Sequence, residues 1–202
     1  MSICSNLHVI AAICGNFYQE STVNPGVWEQ LTVGFPGYGL GQWTDNADTS
    51  RRTALFNYLS ANGYAQDSGE GQLNFLVDEN LWIPSLITPS AYNTLTDYFN
   101  STSTNISDLV MEWMFHWEGI NDGSETTRIN FAQDIYSLFL ADDGTRWSWY
   151  SGNFLLSVQE ASRNSLLVKD FFIGNTPPPP PPPPPIHRRR KGLKPWFIDY
   201  IT

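Results

Sequence analysis

The sequence predicts a mainly helical α+β fold, and three observations support this expectation. Hydrophobic residues make up 41% of the 202 residues and charged residues only 15%, which is enough apolar material for a sizeable core. Apolar residues recur at helical spacing in several segments. Residues 33–46 contain four glycines and predict a loop or short hairpin rather than a helix. No apolar run reaches about 18 residues, so we expect no membrane-spanning helix.

The helices can be placed from apolar stripes and capping residues. The first covers residues 7–20, which carry an apolar stripe before the stop signal at residues 24–26. Thr88 and Pro89 indicate the start of a helix that runs to Phe99. The other expected helices are about residues 50–62, the segment from Leu73 to Leu81, the segment behind the capping pair Asn105 and Asp108, and the segment from Phe131 to Phe139. Residues 141–176 are compatible with a strand followed by a helix, but no pattern in this segment decides its secondary structure.

The composition divides the chain into a body and a tail. We expect one domain over residues 1–140, an extension over residues 141–176 that packs on it or beside it, a spacer over residues 177–185, and a tail over residues 186–202. The spacer is an unbroken run of prolines and predicts a polyproline II rod roughly 28 Å long at ~3.1 Å per residue. The tail is either a loose solvated segment or a peptide that docks on another protein, for example as an added strand.

Charge and metal-ligand spacing exclude some partners. The net charge is −9, and five of the eleven basic residues lie in the tail, so the body is acidic and nucleic acid is not an expected partner. Cys4 and Cys14 are too far apart along one helix for a disulfide, and the three histidines are scattered, so we expect no metal site and no cofactor. No basic residue precedes the apolar N-terminal stretch, which argues against a secretory signal.

Glu20 is the candidate general acid. It lies seven residues after Ile13 and three after Phe17, so it continues the apolar stripe to the helix end, beside the Gly-rich loop. A carboxyl there is partly shielded from water and lies at the negative end of the helix dipole, and both conditions favour its protonated form. Glycoside hydrolysis needs such an acid for the leaving oxygen. The alternative is a structural carboxylate that hydrogen-bonds a buried loop.

A set of motifs resembles the phage tail lysozyme family. The most specific part is the ordered combination Gly15-Asn16, Glu20-Ser21-Thr22, Asn24-Pro25-Gly26 and Gly39-Leu40-Gly41-Gln42-Trp43-Thr44. Further agreement comes from Arg51-Arg52, Leu55, Gln72-Leu73, Phe75-Leu76, Glu79, Phe115, Trp117-Glu118 and Arg128, which extend the resemblance over roughly residues 9–139. The resemblance implies a lysozyme-like fold and cleavage of peptidoglycan between N-acetylmuramic acid and N-acetylglucosamine.

The resemblance also implies roles for individual residues. It places the general acid on Glu20 and lines the cleft with Tyr38, Gln42 and Trp43. Aromatic faces stack on sugar rings and amides bond N-acetyl or hydroxyl groups, although Trp43 can also serve in the core. The family usually has a helix before the one that carries the acid, and here about six residues precede it. We therefore expect residues 141–176 or a partner chain to cover that part of the core.

A second carboxylate would set the stereochemistry of the reaction. Asp45 is the better candidate because Asp48 is explained as a helix N-cap, and a solvated turn is the alternative for Asp45. Glu118 is expected to be a structural or cleft-wall residue that pairs with Arg128, with catalysis the less favoured role. Without a second carboxylate, the enzyme positions water directly or cyclises the muramyl product, as a lytic transglycosylase does.

Three functions remain open from the sequence. The first is a muramidase of the phage tail that opens the host cell wall, with residues 186–202 docked on other virion proteins. The second is a catalytically silent tail protein that grips glycan or serves structurally. The third is a free endolysin. The polyproline tether argues against this function, because a tether suits a protein anchored in a particle.

Overall fold

A computed structural model describes residues 2–29, 36–47 and 49–174, and these are mainly helical, as predicted. The helices are α1 (Leu7–Ser21), α2 (Arg51–Ala61), α3 (Gly69–Glu79), α4 (Leu95–Phe99), α5 (Ile106–Trp113, continued by a π-helical turn at Met114–Glu118), α6 (Glu125–Leu140) and α7 (Val158–Ile173). Within the described ranges, β structure consists of isolated antiparallel bridges. Asp48, the polyproline spacer, the tail and part of the Gly-rich insert lie outside the described residues.

Helix α1 lies at the centre of the fold. Residues 9–17 are buried on every face, as expected of a helix that other elements surround. Helices α5, α6 and α7 pack against it. Asn6 caps its start by accepting from the backbone N–H of His8, and the Asn6 amide donates to the carbonyls of Ser101 and Ser103. The cap therefore also anchors the chain that leads into α5.

Tryptophans form the core beneath the Gly-rich loop. Trp113 and Trp117 stack with 4.8 Å between ring centroids, and Trp43 meets Trp117 edge-on at 5.8 Å. A Cβ atom on Gly41 would lie 2.4 Å from the Trp117 ring, so only glycine lets the loop approach this closely. The loop is thus seated directly on the aromatic core.

The prediction of a helix from Thr88 was wrong for its first half. Helix α4 begins after Thr94, whose side chain accepts from the backbone N–H of Asp97. The residues before it bond to other elements instead. The N–H of Ala91 donates to the Glu112 carboxylate, and the Tyr92 carbonyl accepts from the indole of Trp82. These tertiary bonds override the local start signal.

The extension ends in helix α7, which packs on α1, α3 and α6. Ser157 and Glu160 form a capping box at its start. Near its end, the Phe172 carbonyl accepts from the backbone N–H groups of Ile3 and Cys4 at 2.8 and 3.1 Å. Residues 158–173 therefore cover one side of the central helix. Within the described ranges, no helix has the length and apolarity needed to cross a bilayer.

Candidate active site

An open cleft of about 1120 Å³ runs beside the end of α1. Small-ligand pockets usually enclose roughly 300–1,000 Å³, so this cleft is large enough for part of a polymer. Glu20 lies in its wall. The other walls come from residues 27–29, positions 41, 42, 44, 46 and 49 of the loop, positions 51 and 79, positions 81, 83 and 86, positions 117, 118, 120 and 122, and residues 153–155.

Arg128 holds Glu20 in position. The Glu20 side chain is 21% exposed, and its Oε1 accepts from Nη2 of Arg128 at 2.6 Å. Arg128 is fully buried near the start of α6, where it also donates to Asn16 and Ser124. Its Nη1 donates to Oε2 of Glu118 at 2.6 Å. The expected pairing of Glu118 with Arg128 is confirmed, and one guanidinium orients two carboxyls.

Glu118 is the more deeply buried of these two carboxyls. Its side chain is 5% exposed, and its Oε1 has no hydrogen-bond partner among the described residues. Burial, and next the charge of Glu20, raise the pKa of Glu118 well above its ordinary value, although Arg128 acts in the opposite direction. Both carboxyls bond to the same guanidinium. Burial therefore favours a protonated Glu118 beside Glu20.

The three residues predicted to line the cleft occupy different places. Gln42 lies in the cleft wall, and its amide nitrogen donates to the Gly39 carbonyl at 2.8 Å. Tyr38 and Trp43 are 3% and 0% exposed and lie beneath the loop, which corrects their predicted position. The β-bridge between them turns both rings toward the core. Burial, aided by the charge of Asp67, raises the pKa of Tyr38 to about 12.

Asp45 does not line the cleft, and its carboxylate holds the start of α2. It accepts from the backbone N–H and hydroxyl of Thr53 at 2.9 and 2.8 Å and from Arg52 at 3.1 Å. Burial acts to raise its pKa, but the bonds from Thr53 and the charge of Arg52 outweigh it and lower the pKa. Among the described residues, the side chain of the N-cap residue Ser50 makes no capping bond, and Asp45 supplies the cap instead. This geometry favours a structural role over a catalytic one.

Sequence reasoning missed a second carboxylate that does line the cleft. Asp122 is 47% exposed, and its Oδ2 lies 3.9 Å from Nη2 of Arg128, the atom that also bonds Glu20. Burial tends to raise the pKa of Asp122, but hydrogen bonds from Ser124 lower it overall. No local pattern marks Asp122, because its position depends on where α6 meets the end of α1.

Aromatic and ionic groups of the cleft wall were also missed. Trp28 lines the cleft, and Arg51 lies over the Trp117 ring at 4.7 Å while pairing with Glu79 at 2.7 Å. The available signal was the position of Trp28 just after the Asn-Pro-Gly turn, where the chain re-enters the cleft. The Arg51–Glu79 pair was not predictable, since its members lie on different helices.

Several motif residues hold the loops rather than face the cleft. The hydroxyl of Ser21 donates to the Leu40 carbonyl at 2.9 Å. The Gln72 amide accepts from the Leu40 N–H and donates to the Pro25 carbonyl, at 2.9 and 2.7 Å. Ser21 and Gln72 are fully buried. They fix the Gly-rich loop against the end of α1 and so set the width of the cleft.

A helical body with a carboxyl at the end of its central helix, beside a polymer-sized cleft, is the arrangement of a lysozyme-like protein. Residues 6–139 match the family model described as phage tail lysozyme, and the chain belongs to this family.

The chain is also similar to a curated phage protein. Morphogenesis protein 1 of Bacillus phage B103 is 30% identical over 117 residues, which cover 55% of this chain and 29% of that protein. The match therefore spans less than a third of that relative's length. Both comparisons relate the chain to proteins of phages.

Proposed function

We propose that this protein is a muramidase that cleaves the bond between N-acetylmuramic acid and N-acetylglucosamine in peptidoglycan, with Glu20 as the general acid. The observation that carries this proposal is the carboxyl pair beside the cleft. Both carboxyls line the cleft and bond to the same guanidinium, with Glu20 at 21% and Glu118 at 5% side-chain exposure. Membership in the phage tail lysozyme family supports the same chemistry.

The pair supplies the proton that the reaction needs. Two carboxyls on one guanidinium carry an excess negative charge unless they keep a proton, and burial of Glu118 favours keeping it. Glu20 gives a proton to the glycosidic oxygen as the C–O bond breaks, so the leaving sugar departs as an alcohol. Glu118 supplies this single proton to Glu20, and the attacking water or muramyl hydroxyl gives one proton back to the pair as it bonds to the sugar carbon.

Asp122 takes the place that the sequence assigned to Asp45. It is charged at neutral pH, it lines the cleft, and it shares Nη2 of Arg128 with Glu20. A carboxylate there stabilises the positive charge that develops on the sugar ring, or it activates water. If it does neither, the muramyl hydroxyl attacks internally, and the product is an anhydro sugar.

We further propose that the protein acts from the virion, in the phage tail, on the host wall, with residues 186–202 bound to other virion proteins. The family description supports a tail location. The name of the phage B103 relative, a morphogenesis protein, favours a second candidate function, a catalytically silent tail component that binds glycan.

The test is release of soluble muropeptides from purified peptidoglycan by the full chain, followed by mass analysis. We expect Glu20→Gln to lower the rate by about 10²–10⁴-fold, the range typical of general acid catalysis, with unfolding unchanged. Asp122→Asn is expected to lower it less.

Glu70→Gln is the matched control, because Glu70 is an exposed carboxylate of α3 that does not line the cleft. Undiminished release by Glu20→Gln would remove the acid role. Absence of release by the wild type would favour the silent glycan-binding function. Reducing ends in the products indicate hydrolysis, and anhydro-muramyl ends indicate transglycosylation.

A further inference from the structure

We infer that residues 153–155 form a sugar-binding wall of the cleft, with Phe154 stacked on a pyranose ring of the glycan. This inference rests on the proposed function and adds a binding surface to it. The segment lies beyond residues 6–139, the part of the chain that matches the family model. Phe154 and Leu155 are 54% and 72% exposed, and both lie in the wall of the cleft that contains Glu20.

Hydrogen bonds lock this segment to the loop that follows Glu20. The Asn24 amide donates to the carbonyls of Gly152 and Phe154 at 2.9 and 2.5 Å. The N–H of Leu156 donates to the Thr22 hydroxyl at 2.7 Å. Asn153 Oδ1 also accepts from the Trp28 N–H at 3.1 Å. These bonds hold the backbone that carries Phe154 and Leu155 in the wall of the cleft.

Two glycines bring the segment close to that loop. A Cβ atom on Gly26 would lie 2.4 Å from the Gly152 nitrogen, so the two backbones are in direct contact. Gly152 has φ +152°, and a Cβ atom there would lie 2.2 Å from the Phe154 ring. The ring thus lies over Gly152, and this contact fixes its plane.

The chemistry of the cleft selects a neutral, amphipathic ligand. Ile83 and Leu86, which are 39% and 45% exposed, also line the cleft. Exposed apolar side chains that border one groove indicate a binding surface. Among the described cleft-lining residues the cation is Arg51, and it is paired with Glu79, so an anionic polymer gains no free partner. A pyranose ring fits, because it presents an apolar C–H face and hydroxyl edges.

The test measures binding of a hexamer of β1,4-linked N-acetylglucosamine, and of purified peptidoglycan in a sedimentation assay. Both use the full chain carrying Glu20→Gln, so that cleavage does not interfere. Adding Phe154→Ala is expected to weaken binding about five- to tenfold, and Leu155→Ala about two- to threefold. Phe154→Trp is expected to restore or exceed the original affinity, because it keeps an aromatic face.

Val158→Ala and Leu140→Ala are the matched controls. Both side chains are apolar and exposed, at 60% and 65%, and neither lines the cleft. Both variants are expected to bind as tightly as their parent. Unchanged affinity of Phe154→Ala would overturn the inference and leave the proposed function intact. If the parent binds neither glycan, both fail, and the muropeptide assay shows this independently.

Discussion

Two ionic clusters of this molecule differ in their charge balance. In the cleft cluster, Arg128 contacts three carboxylates, from Glu20, Glu118 and Asp122. In the clamp cluster, Arg146 and Lys169 pair with Asp142 and Asp170. The first cluster has a surplus of acid around one buried cation, while the second has equal numbers of both signs.

This difference in charge balance distinguishes a functional ionic cluster from a structural one. The clamp cluster ties the chain after α6 to α7, and bonds from Arg146 in particular lower the pKa of Asp142. Its charges are satisfied, so nothing is left to react. In the cleft cluster, burial and next the charge of Glu20 raise the pKa of Glu118, which favours a proton beside an open cleft.

The largest expected effect on stability comes from removing the cation of the cleft cluster. Arg128→Met removes the cation from the buried Glu118 carboxyl and from the partly exposed Glu20 carboxyl, and we expect a loss of about 3–5 kcal/mol in the free energy of unfolding at pH 7. The loss should shrink at pH 5, because a lower pH favours the neutral form of the buried Glu118 carboxyl. Denaturant unfolding at both pH values checks this. An equal loss at both would contradict a surplus of acid.

The next effect concerns the clamp cluster. Asp142→Asn is expected to lower the free energy of unfolding by about 3 kcal/mol at pH 7, because Lys169 is buried and loses a partner. The folded pKa of Asp142 lies below its ordinary value of 3.8. Its contribution is thus present above that value and is lost as the pH falls through the folded pKa. Glycan binding should weaken little if the extension stays docked, which the hexamer assay measures.

The smallest expected effect on the free energy of unfolding depends on pH in the opposite direction. The folded pKa of Glu118 is raised above 4.5, so the stability due to its protonated form is fully present below 4.5 and is lost as the pH rises toward the folded pKa. Glu118→Gln does not titrate. We expect it to unfold like the wild type at pH 4 and to be relatively more stable at pH 8, as thermal unfolding can show.

Glu118→Gln should also lose activity at neutral pH, because a glutamine at this position has no proton to give to Glu20. A Glu118→Gln variant with wild-type activity and an unchanged pH profile would remove Glu118 from the proposed proton transfer. Parallel pH curves for Glu118→Gln and Asp142→Asn would erase the distinction between the two clusters.

The helices were largely predictable because their signals are local. The stripe of α1 and the cap at Asn105 depend on residues a few positions apart. The position of Glu20 in the cleft wall was predictable for the same reason, since it lies at a helix end next to a loop motif. The prediction of a helix from Thr88 was wrong in its first half, because bonds to Glu112 and Trp82 determine the backbone conformation there.

The cleft walls were less predictable because they depend on distant contacts. Whether Trp43 faces the cleft or the core is set by its bridge to Tyr38 and by Trp117, which is far away along the chain. Phe154 reaches the cleft through bonds to Asn24, a residue more than a hundred positions earlier. No periodicity in residues 141–156 could have indicated that placement.

Helix α7 also affects where this chain can be truncated. A fragment that stops at residue 139, where the family match ends, would lose the partners of Ile3, Cys4, Thr22 and Val23. It would also uncover buried positions of the central helix. We therefore expect the smallest independently stable unit to reach residue 173, well past the end of the family match.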